Sequence, residues 1–447
     1  MAASATSFKK QRRRVNIFYW LNDDTLIRSI SFLDPKNVLN VVLTCKYFLE
    51  LLPRLLCEVA GEAHVPRDRR QNETDLMLLA FLQARHYRSA AGELKLARWG
   101  TADVCWRPAK FHAIEPPTTM VGAAPIRVRQ VVGAEYIPYR DYTMVVLDES
   151  GCVWSMGSGV GQAPEQLRRV EGLPQDVVYV ATGGRSSAAV LKNGHVWVWG
   201  VNNHGKLGIL DDAEAGGEAP GDGEIPPTHV SIPEHVSEVA CGYNHVIFVA
   251  TNGNVYSCGN NARGQLGLGD LIDRRRPTLV VMPEGKQRVL HAAVGSGYTL
   301  LLAHGTILGC GEPLFGEMGG PPLMQTKIVT FTPAFGTLPA CGSLRAVDMT
   351  TSIVTRSGEL WVSGYGLGRS MGSAGYGHFQ EATRAHTPAP VACFHNSQTR
   401  SVAVLRNGRA VFYGDVSSES SLTPCDFVVI QAAVSSSYRA VITRSST

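Results

Sequence analysis

Eight consecutive residues come closest to chemistry: Gly200-Val-Asn-Asn-His-Gly205-Lys206-Leu207. The spacing of Gly200, Gly205 and Lys206 is that of a loop whose backbone N–H groups cradle phosphates while its lysine reaches the outer ones. Such a loop next requires a Ser or Thr hydroxyl for Mg²⁺, and Leu207 has none. No helical apolar pattern follows it, so the segment reads as a structural loop. Elsewhere no Gly-x-Gly-x-x-Gly occurs, and the 13 histidines lack the spacing that holds zinc on a helix. Ten cysteines are scattered singly, the nearest pair being Cys45 and Cys57, which gives neither a Cys-x-x-Cys site nor a compact disulfide framework. The expectation is no catalytic residue, no metal and no cofactor: the chain is not itself an enzyme.

The elements around that loop repeat. A turn glycine is followed six residues later by a second glycine at Gly151/Gly157, Gly194/Gly200, Gly253/Gly259, Gly305/Gly311, Gly358/Gly364 and Gly408/Gly414. A fixed inner spacing with a variable outer one of roughly 50 residues marks a propeller or solenoid. In the clearest copy, at 235–284, Val239–Gly242, Val246–Thr251, Val255–Cys258 and Leu279–Met282 read as four strands, with Asn252-Gly253 as a hairpin turn. Four short antiparallel strands make one blade. Ile430–Val434 and Ala440–Thr443 supply the start of a further unit. An open ring would leave unpaired edges, so Leu94–Trp99, Val104–Trp106 and Phe111–Ile114 are expected to complete it. The fold expected is mainly β: a seven-bladed β-propeller preceded by a small all-α domain.

The repeat resembles that of the regulator-of-chromosome-condensation family, a seven-bladed β-propeller. Cys241-Gly-Tyr-Asn-His245 and Cys258-Gly-Asn-Asn261-Ala-Arg-Gly264-Gln-Leu-Gly267-Leu-Gly269 carry the resemblance. Trp199-Gly-Val-Asn202-Asn-His-Gly205-Lys-Leu-Gly208 carries it again, while Gly311–Gly316 and Gly364–Gly368 keep glycines and lose the asparagine. The glycines and asparagines are expected to serve backbone geometry. His245 is expected to be a satisfied histidine between strands.

Ahead of the repeats the apolar period changes to that of a helix. Leu26, Ile27, Ile30 and Leu33 share one face, Asn22 and Asp23 precede them as caps, and Pro35 opens a second helix with Val38, Leu39, Val41 and Val42. Leu21-Asn-Asp-Asp-Thr-Leu26, Phe32-Leu-Asp-Pro35 and Leu43-Thr-Cys-Lys46-x-Phe48 together resemble an F-box, with Asn22 where that family usually has proline. The resemblance implies docking on a Skp-type adaptor of a cullin–RING ubiquitin ligase. It points to Leu21, Leu26, Ile30, Leu33, Pro35 and Leu39 as partner-binding positions. A module of about 45 residues has little interior of its own, which also favours an interface. The domains expected are a basic tail at 1–15, an F-box-like helical module at 16–60, a helical linker at 61–92 and the propeller at 93–447, its last blade closed by N-terminal strands.

The net charge of +4 does not call for nucleic acid, and its sharpest cluster, Lys9-Lys10-Gln-Arg12-Arg13-Arg14, reads first as a solvated tail and second as a nuclear signal or a nucleic-acid contact. Arg274-Arg275-Arg276 adds positive charge on an expected blade loop, and acid gathers at Asp211–Glu224 in a Gly/Ala-rich insertion. No apolar run approaches a membrane span and no secretory segment opens the chain, so a cytoplasmic or nuclear protein is expected. The reading that unites these features is a non-catalytic substrate-recognition subunit of an SCF-type ubiquitin ligase. The F-box would hold adaptor and cullin, and the propeller loops a target protein. The alternative is a guanine-nucleotide exchange or chromatin-binding propeller.

Overall fold

The computed structural model describes residues 92–98, 112–113, 127–136, 141–157, 167–209, 224–283, 288–303, 306–320, 326–336, 338, 341–365, 379–396, 401–413, 421–422, 427–434 and 438–445. The chain divides into two compact units, Met1–Ala90 and Ala91–Thr447. The first unit, with the F-box-like positions Leu21, Leu26, Ile30, Leu33, Pro35 and Leu39, lies outside the described residues.

The second unit is built from antiparallel β-sheets, and no α-helix occurs among its described residues. One sheet contains β1 (Gly92–Arg98), β2 (His112–Ala113), β3 (Arg127–Tyr136), β4 (Asp141–Asp148), β5 (Val153–Gly157) and β6 (Arg168–Arg169), together with β27 (Phe427–Val434) and β28 (Tyr438–Ser445). The next is β7 (Val177–Gly183), β8 (Ser186–Leu191), β9 (Val196–Val201) and β10 (Glu224–Val230). It is followed by β11 (Val236–Cys241), β12 (His245–Ala250), β13 (Val255–Gly259) and β14 (Arg274–Leu279). Then come β15 (Val289–Val294), β16 (Tyr298–Ala303), β17 (Thr306–Gly311) and β18 (Ile328–Pro333). The last two sheets are β19 (Cys341–Val347), β20 (Thr350–Thr355), β21 (Leu360–Gly364) and β22 (Phe379–Ala385), and β23 (Val391–Asn396), β24 (Ser401–Leu405), β25 (Ala410–Tyr413) and β26 (Ser421–Leu422).

This is a six-bladed propeller, which corrects the seven separate blades expected. The reason is local. β1 pairs with β28 from Glu93↔Thr443 to Arg98↔Tyr438, and its first two residues, Gly92 and Glu93, also pair with Val128 and Arg127 of β3. The closing strands and the first repeat therefore form one eight-stranded sheet, and that sheet contributes both β27 and β3 to the ring of inner strands. The all-α domain expected ahead of the propeller is likewise no part of the described fold, which is mainly β.

The core lies between neighbouring sheets. Every residue of β8, β12, β16, β20 and β24 is buried, because the second strand of each blade is covered on both faces. Val246 and Phe248 pack with Ala188, Val190 and Val198 on one side, while Ile247 and Val249 meet Leu301 and Ala303 on the other. Full burial of a side chain such as Phe248 or Leu301 contributes about 1.5–3 kcal/mol. The Asn252-Gly253 turn closes β12 onto β13: Gly253 has φ +82°, its N–H donates to Ala250 C=O, and Asn252 Oδ1 accepts from Asn254 N–H at 2.9 Å.

The fourth strand of this blade begins five residues earlier than its sequence suggests. Arg274–Arg276, expected in a loop, lie in β14, and Pro277 lies within the strand. β14 is the sheet's outer edge, where proline's missing N–H breaks no ladder bond.

Candidate functional site

Two regions concentrate polar side chains. The first is the central channel, a cavity of about 150 Å³ walled by β3, β7, β11, β15 and β19 and lined also by Gly184, Tyr243, Gly295 and Asp348. The inner strands are stitched across blades by side chains that follow a bulge. Gln431 Oε1 accepts from Val131 N–H at 3.0 Å, and Gln130 both donates to Val180 C=O and accepts from Val180 N–H at 3.0 Å. Further round, Glu238 Oε1 accepts from Ala292 N–H at 3.2 Å and also meets His291 Nδ1. His291 Nε2–H donates to Leu344 C=O at 2.6 Å. Each of these residues stands just after a register shift in its strand, where the ladder is locally disrupted and the strand bends. A carbonyl only accepts, so Nε2 of His291 carries a proton. The channel wall is thus polar structure that ties blades together.

The second region is the set of loops after each third strand. Gly200–Leu207, the phosphate-loop look-alike, forms a short 3-10 turn at Asn203–Gly205 and then turns Lys206 inward. Lys206 Nζ donates to Gly184 C=O and, at 3.1 Å, to Tyr243 C=O, joining the first turns of two blades. Burial pushes its pKa down to about 7, with the Cys241 thiol and the Arg185 guanidinium acting in opposite directions. In the next two blades the same place is taken by Gln265 and Glu317, both buried. Burial raises Glu317 to about 7 although its Oε2 accepts from Phe315 N–H. These groups are sealed from any substrate.

His245 lies between strands as expected, but only one of its ring nitrogens is satisfied, Nδ1 being buried with no hydrogen-bond partner among the described residues. Its Nε2 lies 2.8 Å from Thr299 Oγ1 in the next blade, and that hydroxyl donates to Gln265 C=O, so Nε2 carries the proton. Burial lowers its pKa to about 3. The buried thiol of Cys241 is pushed up to about 12 and that of Cys258 higher still, which removes them as nucleophiles. Among the described residues no three His, Cys, Asp or Glu side chains converge to hold a metal. A Gly368-Arg-Ser370-Met-Gly372 stretch has the spacing of a nucleophile elbow. It falls between antiparallel β21 and β22, whereas that elbow joins a strand to a helix, and it lies outside the described residues.

The loop between β13 and β14 presents side chains outward. Buried Asn261 donates through Nδ2 to Asp270 C=O at 2.9 Å and to Asp270 Oδ1, and its Oδ1 accepts from Leu266 N–H. Asp273 Oδ1 accepts from Asn261 N–H at 2.7 Å, and Oδ2 meets His204 Nδ1 at 3.1 Å. Asp270 Oδ2 receives Arg274 Nη2 at 2.5 Å. Gly267, at φ +69°, packs where a Cβ would stand 2.3 Å from the Phe331 ring of the next blade. With Asp270 and Asp273 engaged by these bonds, the loop leaves Leu271 45% and Ile272 65% exposed. Sequence reasoning recognised the loop by its glycines but missed this apolar pair, whose exposure depends on which way the chain turns between Asp270 and Asp273.

The Regulator of chromosome condensation (RCC1) repeat matches residues 193–249 and 252–302, and a variant of the same repeat matches 177–206 and 236–265. Probable E3 ubiquitin-protein ligase HERC3 of Homo sapiens is 31% identical over 163 residues, which are 35% of this chain and 14% of that protein. E3 ubiquitin-protein ligase HERC2 of Homo sapiens is 31% identical over 180 residues, 36% of this chain and 3% of that one. The chain thus spans a small part of these relatives. Among solved structures, Prp20p from Saccharomyces cerevisiae superimposes with a TM-score of 0.62 at 16% identity, covering 86% of this chain and 96% of that one. Human WBSCR16 gives 0.61 at 15% identity, covering 80% and 100%. At such identities the likeness is one of fold. The chain carries RCC1 repeats, and they fold as blades of a β-propeller.

Proposed function

We propose that this protein is the non-catalytic substrate-recognition subunit of a cullin–RING ubiquitin ligase, working in the cytoplasm or nucleus. Its F-box-like segment would dock on a Skp-type adaptor through Leu21, Leu26, Ile30, Leu33, Pro35 and Leu39, and the propeller loops would hold the target. The β13–β14 loop carries this reading: its asparagine and aspartates are held by hydrogen bonds and its apolar pair faces solvent, the arrangement of a recognition surface. The titratable groups best placed for chemistry, Lys206, His245 and Glu317, are buried, which supports a role without catalysis. The RCC1-repeat stretch shared with HERC3 and HERC2, both named as ubiquitin-protein ligases, adds support from relatives. Such a subunit acts by proximity, raising the effective concentration of target beside the conjugating enzyme.

The test is direct association of the purified full chain with a Skp-type adaptor, read by calorimetry. Binding that is lost on Leu26→Asp with Leu33→Asp is the expected result; an adaptor that ignores the wild-type chain sinks the proposal. A second reading, guanine-nucleotide exchange or chromatin binding, follows from the fold likeness to Prp20p, whose structure is described with its binding to Gsp1p and histones. Accelerated nucleotide release from a small GTPase by the same preparation would favour it instead.

A further inference from the structure

We propose that the target is taken at the tip of the β13–β14 loop and that the segment recognised is acidic and extended, with a bulky apolar side chain set against Leu271 and Ile272. This rests on the recognition role above. Five large hydrophobic side chains are exposed among the described residues: Leu271, Ile272, Leu279, Val281 and Tyr365. Leu271 and Ile272 stand together on one tip, whereas Leu279 and Val281 lie at the far end of β14.

The tip is held in place before anything binds. Ile272 N–H donates to Asp270 Oδ1 at 3.0 Å, Ile272 C=O accepts from Arg274 Nη1 at 2.7 Å, and buried Asn261 grips both flanks through Asp270 and Asp273. A preformed apolar anchor loses little conformational freedom on association, which is where binding surfaces gain affinity.

Charge selects the occupant. The tip runs directly into Arg274-Arg275-Arg276 on an outer strand, and Arg263, 43% exposed in its side chain, stands on the same loop beside Glu312. The Asp270 and Asp273 carboxylates are turned to Arg274, His204 and loop amides. Positive charge on an edge strand repels a second copy of that edge and so guards against aggregation. For an acidic strand the same charges are an attraction, and strand addition to an exposed edge is an established way of reading a peptide.

The experiment uses the full chain and a library of short fluorescent peptides rich in Asp and Glu, each with one aromatic or aliphatic residue. Two control libraries replace the acids with Lys, or the apolar residue with Ser. Anisotropy is expected to show acidic apolar peptides binding at least about tenfold tighter than either control. Leu271→Ser with Ile272→Ser should weaken them about tenfold or more. Arg275→Glu with Arg276→Glu should weaken binding and flatten its salt dependence, while Leu279→Ser with Val281→Ser should leave it unchanged. Equal binding of all libraries, or indifference to the tip variant, overturns the proposal. Binding seen only after deletion of residues 211–223 overturns it too, because the chain's own acidic stretch would then be the occupant. Adaptor calorimetry on the same preparation separates the two readings: adaptor bound with no peptide bound sinks the tip alone, and peptide bound without adaptor sinks only the ligase role.

Discussion

In two consecutive repeats one loop is built twice around a buried asparagine, yet the side chain at its centre differs. Asn202 Oδ1 accepts from Leu207 N–H at 2.9 Å and Asn261 Oδ1 from Leu266 N–H at 3.0 Å. Gly205 and Gly264 close equivalent turns on Asn202 C=O and Asn261 C=O. Between them, Gln265 is satisfied within its own loop, by Arg263 N–H at 2.9 Å and Asn260 Oδ1 at 2.7 Å. Lys206 instead crosses to Gly184 and Tyr243 on the first turns of two blades. The backbone is thus set by asparagine and glycine, and the central residue is free in chemistry provided its polar end finds a partner. What changes is sensitivity to pH, because a buried amine must shed its charge and a buried amide has none.

The comparison breaks most sharply at the glycines. Gly267→Ala is expected to cost about 3 kcal/mol or more in chemical denaturation, combining a positive φ with a Cβ 2.3 Å from Phe331. Gly208→Ala, with its nearest neighbour Pro277 Cδ at 3.0 Å, should cost clearly less. Equal losses would mean the two loops do not wedge against their neighbours as described.

Next in size is the asparagine pair. Asn261→Ala removes bonds to Asp270 C=O, Asp270 Oδ1 and Leu266 N–H, and about 2–3 kcal/mol should go with them. Asn202→Ala should cost about 1 kcal/mol, since its Nδ2 has no hydrogen-bond partner. A reversed order would show that Asn202 carries the fold.

Smaller effects depend on pH. Lys206 falls from 10.5 to about 7 on folding. Between those values the unfolded chain holds a proton the folded chain has released, so stability rises with pH across that window. Glu317 moves the other way, from 4.5 to about 7. There the folded chain holds the extra proton, and stability falls as pH rises from 4.5 to 7. Together they place a minimum near neutrality. Lys206→Gln, which copies the next repeat, should remove the upper slope, and Glu317→Gln the lower, each gaining about 1–2 kcal/mol at pH 7. Thermal melts from pH 5 to 10 read both slopes, and a profile unchanged by either variant would refute the assignment.

The smallest effect is expected at the tip. Ile272→Ser should alter stability by less than about 0.5 kcal/mol, because Ile272 is 65% exposed. A larger loss in a urea titration would mean Ile272 is structural.

Much of the fold was legible because its signals are local. Asn252-Gly253 names a hairpin turn, and Val255–Gly259 a strand, without reference to anything distant. His245 could be read as structural because it sits in a repeated place. Where the reading failed, the deciding partner was far away in sequence. The closing strands merge with the first blade through Gly92 and Glu93 pairing with Val128 and Arg127, and apolar alternation does not reveal how far a pairing extends. The fourth strand is expected only from Leu279, and a place at the sheet edge explains how it can begin at Arg274 and take in Pro277.

The candidate site divides in the same way. Sequence alone determined that a loop recurs around asparagine and glycine, since glycine meets its positive φ angles at Gly205, Gly208, Gly264 and Gly267 and an asparagine oxygen caps its turn. It also determined that Lys206 cannot serve a Mg²⁺-nucleotide, because Leu207 lacks the required oxygen. Tertiary structure alone decided that Lys206 points into carbonyls of neighbouring blades, that Glu238 and His291 join three inner strands, and that Leu271 and Ile272 face water. Burial and side-chain direction are properties of contacts between residues about 20 to 70 positions apart, and no local pattern carries that information.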